Sequence, residues 1–153
     1  MREDGKPESF LLHVQHIHRD DMPWHVLEET LPDRASIEDV VLDEMPHGEG
    51  EEVVLQFFSI DHEMTCEEFA AWCLQLRYQA DPYALAAAIR DDQNLPFEYP
   101  CASLWLDQAG KWCFLSFLGG AVRIEHAPER ISAGRWYAAV CRKEQKDPCD
   151  PDI

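Results

Sequence analysis

Basic residues are almost missing from the stretch between Asp20 and Glu68. These 49 residues, which we call the acid segment, contain no lysine and one arginine, Arg34, against sixteen acidic residues. The net charge of the acid segment is therefore −15, and it accounts for nearly all of the net charge of −17 carried by the 153-residue chain. A surface with this charge repels nucleic acid and anionic lipids, so neither is expected as a direct binding target.

Long apolar runs are also absent. No stretch reaches the length of about twenty apolar residues that a transmembrane helix requires. The first residues, MREDGKPESF, carry charges where a signal peptide has an apolar stretch. Hydrophobic residues nevertheless make up 46% of the chain, which is typical of a globular domain. We therefore expect a soluble, cytoplasmic protein with a single domain over residues 1–153, in which 1–8 and 145–153 are loosely ordered tails.

Paired cysteine motifs are missing as well. None of the six cysteines belongs to a CxxC pair, the spacing that structural zinc sites usually show. A disulfide framework is typical of short secreted domains, whereas this chain is longer, is rich in apolar residues and shows no secretory signal. We therefore expect reduced thiols that are mostly buried, with Cys149 exposed in the C-terminal tail. The other five cysteines are Cys66, Cys73, Cys101, Cys113 and Cys141.

No complete catalytic motif occurs in the chain. His62 and Glu63 begin an HExxH-like sequence, but Cys66 stands where the zinc-protease motif has its second histidine. The zinc-deaminase pattern also fails, because it requires a spacer between its histidine and its glutamate. Thr65 and Glu68 form a capping box, which explains the segment around Cys66 without any catalysis. We therefore predict that the protein is not an enzyme and that it uses no cofactor.

Three residues near the N-terminus form the best sequence candidate for a metal site. His16, His18 and Asp20 alternate along a predicted strand from Ser9 to His18, and alternate residues of a strand face the same side. Imidazole and carboxylate ligands suit zinc. Solvent-exposed histidines produce the same pattern. A small metal-binding enzyme that uses these three residues is therefore kept as an alternative hypothesis, and no metal is assigned.

The order of the predicted elements indicates an α+β fold. Helices are predicted from Pro23 and after the capping residues Thr65 and Asp81. A helix is also predicted from Ser36, although the β-branched residues that follow it leave a strand as the alternative. A hairpin turn is predicted at 107–110. We therefore expect a mainly antiparallel sheet with helices packed on one face. The predicted strands span residues 9–18, 53–60, 103–106, 111–117, 122–126 and 135–141.

Many carboxylates of the acid segment occur in adjacent pairs. Residues three or four apart on a helix lie about 5–6 Å from each other, which is similar to the spacing of phosphates along a nucleic-acid strand. In a helix that begins at Ser36, Asp39 and Asp43 share one face. The residues predicted to bind a partner as phosphate surrogates are Glu28, Glu29, Glu38, Asp39, Asp43, Glu44, Glu51 and Glu52.

Solubility and mimicry of nucleic acid are the two explanations that fit this concentration of acid. The first needs no partner, because net charge by itself keeps proteins soluble. Adaptation to high salt also adds acid, but residues 111–146 carry a net charge of +4, so the charge is polarised along the chain. In size and charge the chain resembles DNA-mimic proteins of the anti-CRISPR and anti-restriction kind. That resemblance implies an acidic inhibitor that occupies the basic nucleic-acid-binding surface of a defence complex.

An immunity protein against a basic nuclease toxin is the main alternative to a nucleic-acid mimic. Both classes bind through carboxylates that face lysines and arginines. A toxin interface also needs aromatic anchors among the acids. Trp24 and His25, which follow Asp20 and Asp21, suit that role, although a core position is commoner for such a tryptophan. A homodimer, in which the basic last third contacts the acid segment, is also open.

Overall fold

Ten strands and five helices form the part of the chain that the computed structural model describes. The structure describes residues 9–28, 30 and 33–141, and for 33–36 and 141 it describes the backbone only. Glu29, Cys149 and both predicted tails lie outside these residues. The strands are β1 Ser9–Val14, β2 Asp33–Ile37, β3 Val53–Ser59, β4 Met64–Thr65, β5 Tyr78–Gln79, β6 Cys101–Leu106, β7 Trp112–Leu118, β8 Ala121–His126, β9 Arg130–Ile131 and β10 Trp136–Cys141. The helices are α1 Pro23–Glu28, α2 Asp39–Asp43, α3 Cys66–Gln75, α4 Pro82–Asp91 and α5 Leu95–Glu98.

The main sheet has the strand order β1-β3-β10-β6-β7-β8-β2, and β5 pairs with the end of β10. Two of its pairings are parallel, β10 with β6 and β2 with β8, and the others are antiparallel. The predicted α+β class with a mainly antiparallel sheet is therefore confirmed. Within the described ranges, no helix is long and apolar enough to cross a membrane.

The two faces of the main sheet are covered differently. The helices α1, α2 and α4 pack on what we call the first face, where Leu55 and Phe57 of β3 contribute to the larger hydrophobic core. All residues from Pro82 to Ile89 of α4 are buried there. On the second face, Phe69 of α3 stacks on Phe58 of β3 with ring centroids 6.0 Å apart. The prediction of one helical face thus describes α1, α2 and α4, and α3 is an addition on the other side.

Two predicted boundaries are wrong, each for its own reason. β1 ends at Val14 and not at His18, and His16 has a φ of 58°, which interrupts an extended strand. The helix expected from Ser36 begins only after Glu38, because residues 33–37 form β2 and pair in parallel with β8. The backbone N–H of Glu38 continues this ladder by donating to the carbonyl of Ile124 at 2.9 Å.

The capping box predicted at the start of α3 is confirmed. The Thr65 hydroxyl accepts the backbone N–H of Glu68 at 3.1 Å, and the Glu68 carboxylate accepts the backbone N–H of Thr65 at 2.8 Å. The second hydrogen bond lowers the pKa of Glu68 because it favours the charged carboxylate. This contribution to stability is present above the ordinary glutamate pKa of about 4.3 and is lost as the pH falls through the lowered folded-state value.

We expect Glu68→Gln to make the acid side of the stability profile shallower. The free energy of unfolding should fall less steeply for the variant than for the wild type between about pH 5 and pH 3, because the variant has no carboxylate to protonate at the cap. Urea unfolding at several pH values measures this slope. Glu67→Gln removes the neighbouring exposed carboxylate and serves as the control. Parallel profiles for Glu68→Gln and the wild type would contradict the role given to the cap.

Candidate functional site

The helix α2 presents carboxylates at the edge of the first face. Val41 and Leu42 of this helix are buried in the larger core, which fixes the helix on the domain. Asp39 and Asp43 are exposed and lie four residues apart, so their carboxylates project from one side of the helix. The shared face predicted for these two acids is therefore present, although the helix starts later than predicted. The exposed acids of α2 and its two ends are Glu38, Asp39, Asp43 and Glu44.

The helix α1 packs beside α2 and adds one acid and one aromatic ring to this surface. Glu28 is exposed at the end of α1, with its carboxylate 3.9 Å from the imidazole of His25. Trp24 is 43% exposed, so it lies at the surface and not in the core position that is commoner for tryptophan. Met22 is exposed two residues earlier.

Arg19 holds the loop at 47–52, which carries the predicted surrogates Glu51 and Glu52. Its side chain is 12% exposed, and the guanidinium donates two hydrogen bonds, of 2.6 and 3.0 Å, to the carboxylate of Asp81. Asp81 is 6% exposed and also caps α4 by accepting the backbone N–H of Ala84 at 3.1 Å. The same guanidinium donates to three backbone carbonyls of the loop, those of His47 at 2.8 Å, Glu49 at 3.0 Å and Gly50 at 2.8 Å. These bonds fix the loop on the body of the domain.

Seven predicted surrogates are therefore exposed on α1, on α2 and its ends, and on the loop held by Arg19. We call these residues the acid surface: Glu28, Glu38, Asp39, Asp43, Glu44, Glu51 and Glu52. Among the described side chains, the ion pairs of these carboxylates are with histidines, from Glu28 to His25, from Glu38 to His126 and from Glu52 to His13. Arg19 does not neutralise the acid surface, because its charge is paired with Asp81.

Positive side chains gather on the second face of the sheet. A cavity of about 530 Å³ lies there over β6, β7 and β8, with Arg123, Arg130 and Arg135 along its wall. Arg123 projects to this face because its neighbours Val122 and Ile124 on β8 point into the larger core. The apolar part of the wall includes Leu104, Phe114 and Tyr137. The three arginines thus lie on the face opposite the acid surface, and two of them have acidic partners there, Arg123 with Glu125 at 4.0 Å and Arg130 with Glu63 at 3.1 Å.

The residues proposed from sequence as metal ligands do not form a cluster. His16 lies beyond the end of β1, and the imidazole of His18 is 3.6 Å from the carboxylate of Asp21. For the residues that the structure describes, one group of three His, Cys, Asp or Glu side chains has its ligand atoms within 4.8 Å of one another, and His16, His18 and Asp20 are not in it. That group is Asp107, Cys113 and His126.

Sequence reasoning missed this cluster, although it found the turn that builds it. Asp107 begins the predicted β6–β7 hairpin, and its carboxylate accepts the backbone N–H of Lys111 at 2.8 Å. Cys113 of β7 lies directly opposite His126 of β8 in the antiparallel ladder. The missing signal was the register between β7 and β8, because it alone shows that these two side chains share a face.

The electrostatics of the cluster reflect burial and hydrogen bonds. Backbone N–H groups, with that of Lys111 first, lower the pKa of Asp107. Burial raises the pKa of Cys113 to about 12, and the charge of Asp107 adds to the increase. Burial likewise raises the pKa of Cys101 and of Cys73 to about 12. Because a protonated thiol is a poor nucleophile, these values give no support to a reactive cysteine in the free protein.

The cysteines that are described agree with the expectation of unpaired thiols. Cys66, Cys73, Cys101 and Cys113 are free, and all of them except the partly buried Cys73 are fully buried. Cys141 is described only by its backbone, so its side chain is not assigned a role.

Comparisons of the chain with protein-family models, curated proteins and solved structures found no match.

Proposed function

We propose that the protein is an acidic inhibitor of the anti-CRISPR or anti-restriction type. It mimics nucleic acid and occupies the basic nucleic-acid-binding surface of a defence complex. The observation that carries this proposal is the fixed presentation of Asp39 and Asp43 on α2, whose other side is buried through Val41 and Leu42. Exposed carboxylates one helical turn apart lie at a distance similar to that between neighbouring phosphates of a strand.

Rigidity distinguishes such a surface from a charged tail. A flexible acidic segment loses conformational entropy when a partner orders it, whereas a fixed surface has a smaller cost on binding. The hydrogen bonds from Arg19 to the loop at 47–52 supply this rigidity for Glu51 and Glu52. The acid surface is therefore suited to recognition by geometry as well as by net charge.

The position of the positive residues supports the same function. Arg123, Arg130 and Arg135 line a cavity on the second face, where they do not cover the acid surface. An uncompensated negative surface attracts a basic partner over a distance and speeds its association, and this attraction weakens as salt is added. Strong dependence of binding on ionic strength is thus expected for the physiological partner.

Affinity capture tests the proposal. The full chain is immobilised, exposed to a cell extract and washed with a gradient of salt. We expect a basic nucleic-acid-binding complex to elute in a sharp fraction at elevated salt, and we expect short duplex DNA or RNA to displace it at low salt. If nothing is retained beyond the first low-salt wash, the acid surface only contributes solubility and the proposal is wrong.

A nuclease immunity protein is the second candidate, and the exposure of Trp24 favours it. An exposed tryptophan beside the exposed Met22 offers an apolar anchor next to acids, as toxin interfaces require. In that case the captured protein would be a nuclease, and Trp24→Ala would weaken its binding by about 2 kcal/mol or more, because buried tryptophan anchors dominate such interfaces. A mimic that binds mainly through carboxylates would lose much less.

A further inference from the structure

The Asp107–Cys113–His126 cluster has both the donors and the spacing of a transition-metal site. The thiol sulfur of Cys113 is 3.7 Å from Oδ2 of Asp107, and Nε2 of His126 is 3.8 Å from the same oxygen. Ligands around a tetrahedral zinc ion, with bonds of about 2.0–2.3 Å, lie roughly 3.3–3.7 Å from one another. We propose that these three side chains bind a divalent zinc-like ion, a role that does not require the proposed mimicry of nucleic acid.

The carboxylate of Asp107 is already oriented for this role. Its Oδ1 accepts the backbone N–H of Lys111 at 2.8 Å, which fixes the carboxylate in the hairpin turn. Its Oδ2 therefore faces the thiol and the imidazole, and that oxygen is available as a ligand. The turn thus orients the first ligand before any ion binds.

The imidazole of His126 has a carboxylate on each side. Nε2 faces Asp107, while Nδ1 lies 3.7 Å from Oε2 of Glu38. Glu38 is itself held, because its Oε1 accepts the backbone N–H of His126 at 2.9 Å. A histidine that binds a metal through one nitrogen usually has a carboxylate or carbonyl partner at the other, which fixes the ring and its tautomer. Glu38 is placed as that outer partner.

The charge balance of the cluster also suits a divalent cation. Cys113 is buried opposite His126, and its thiol proton passes to solvent when the sulfur binds the ion. The resulting thiolate and the Asp107 carboxylate together cancel the charge of a divalent ion, so the site is neutral where it is buried. Sulfur and imidazole ligands favour zinc or cobalt over calcium and magnesium, which prefer oxygen. His126 is 38% exposed, so a water molecule has access to a fourth position.

Titration with Co²⁺ tests this inference without any assay of activity. The reduced full-length protein is stripped with chelator and titrated while its absorption spectrum is recorded. We expect one equivalent of Co²⁺ to bind, with a thiolate-to-cobalt charge-transfer band and the intense visible bands of a tetrahedral site. Zn²⁺ should displace the cobalt and should raise the melting temperature of the protein. A wild-type protein that shows neither charge-transfer band nor zinc-dependent stabilisation would overturn the proposal.

Variants identify the ligands. His126→Gln and Asp107→Asn should each weaken Co²⁺ binding by more than about 10-fold, and Glu38→Gln by about 10-fold, the lower end of the range for outer partners of a ligand. The matched control His62→Gln changes the same residue type elsewhere, and Cys73→Ser checks that another thiol does not supply the charge-transfer band. Both variants should bind Co²⁺ like the wild type. His126 and Glu38 are partly exposed, so their variants should fold, which circular dichroism verifies. Unchanged cobalt affinity in His126→Gln would contradict the assignment.

Discussion

Reversal of Asp39 and Asp43 to lysine is expected to raise the dissociation constant of the captured partner by at least about 100-fold, because juxtaposed like charges cost several kcal/mol at an interface. Both side chains are exposed on α2, whose buried side does not change in the variant. The substitution should therefore leave the fold intact while it replaces two attractive contacts with two repulsive ones. Biolayer interferometry at one fixed salt concentration measures the change.

The control for this prediction is the double reversal Asp61→Lys and Glu67→Lys. Both residues are exposed and border the elements that cover the second face, so the control changes the net charge equally but at a different place. We expect it to raise the dissociation constant less than about 10-fold, through the long-range field alone. Equal losses in the two double variants would show that the partner responds to total charge and not to the acid surface.

Arg19→Met is expected to lower the free energy of unfolding by about 3–5 kcal/mol, the usual cost of removing one partner from a buried ion pair. Asp81 would be left as an unpaired carboxylate that is 6% exposed, and the loop at 47–52 would lose three hydrogen bonds from the guanidinium. Urea unfolding at neutral pH, with the midpoint and the m-value fitted together, measures the loss.

Asp91→Asn is the matched control, because it weakens an arginine–carboxylate pair in which the carboxylate is exposed. The Asp91 side chain lies 2.9 Å from Arg90 and is 56% exposed, so its substitution should cost less than about 1 kcal/mol. The variant Arg19→Met with Asp81→Asn should recover part of the stability that Arg19→Met loses, since it removes the stranded charge. A cost for Arg19→Met that is no larger than that for Asp91→Asn would contradict the role of this ion pair.

The sequence predicts those parts of the fold that depend on short-range chemistry. The apolar run at 53–60 predicts β3, and the turn at 107–110 predicts the hairpin between β6 and β7. The capping residues Thr65 and Asp81 predict the starts of α3 and α4, because the side chain of each accepts an N–H within its own first turn. Turns, caps and hydrophobic periodicity are properties of neighbouring residues and are therefore readable in one chain.

Interactions between distant residues are the part that the sequence did not predict. Residues 33–37 join β8 as a parallel strand although Ser36 and Asp39 resemble a capping box, because pairing with a strand almost 90 residues later satisfies their backbone. The short strands β4, β5 and β9 exist for the same reason, since each has only two residues and depends on its partner. Such pairings leave no local pattern in the residues that form them.

The candidate sites divide in the same way. The acidic pairs were visible in the sequence, but the Arg19–Asp81 pair that fixes the loop with Glu51 and Glu52 joins residues 62 positions apart. Likewise, Asp107 was recognised as a turn residue, while its approach to Cys113 and His126 required the register of β7 and β8. The number of charged residues can be counted in the sequence, whereas the relative positions of their side chains are set by the fold.

Competition between this chain and nucleic acid for one partner tests the central claim most directly. The captured partner is saturated with labelled duplex, and the chain is added at constant salt while fluorescence anisotropy reports the bound duplex. If the acid surface is a phosphate mimic, the duplex is released completely, and the apparent dissociation constant of the chain rises in proportion to the concentration of free duplex. A ternary complex, in which chain and duplex stay bound together, would contradict the claim.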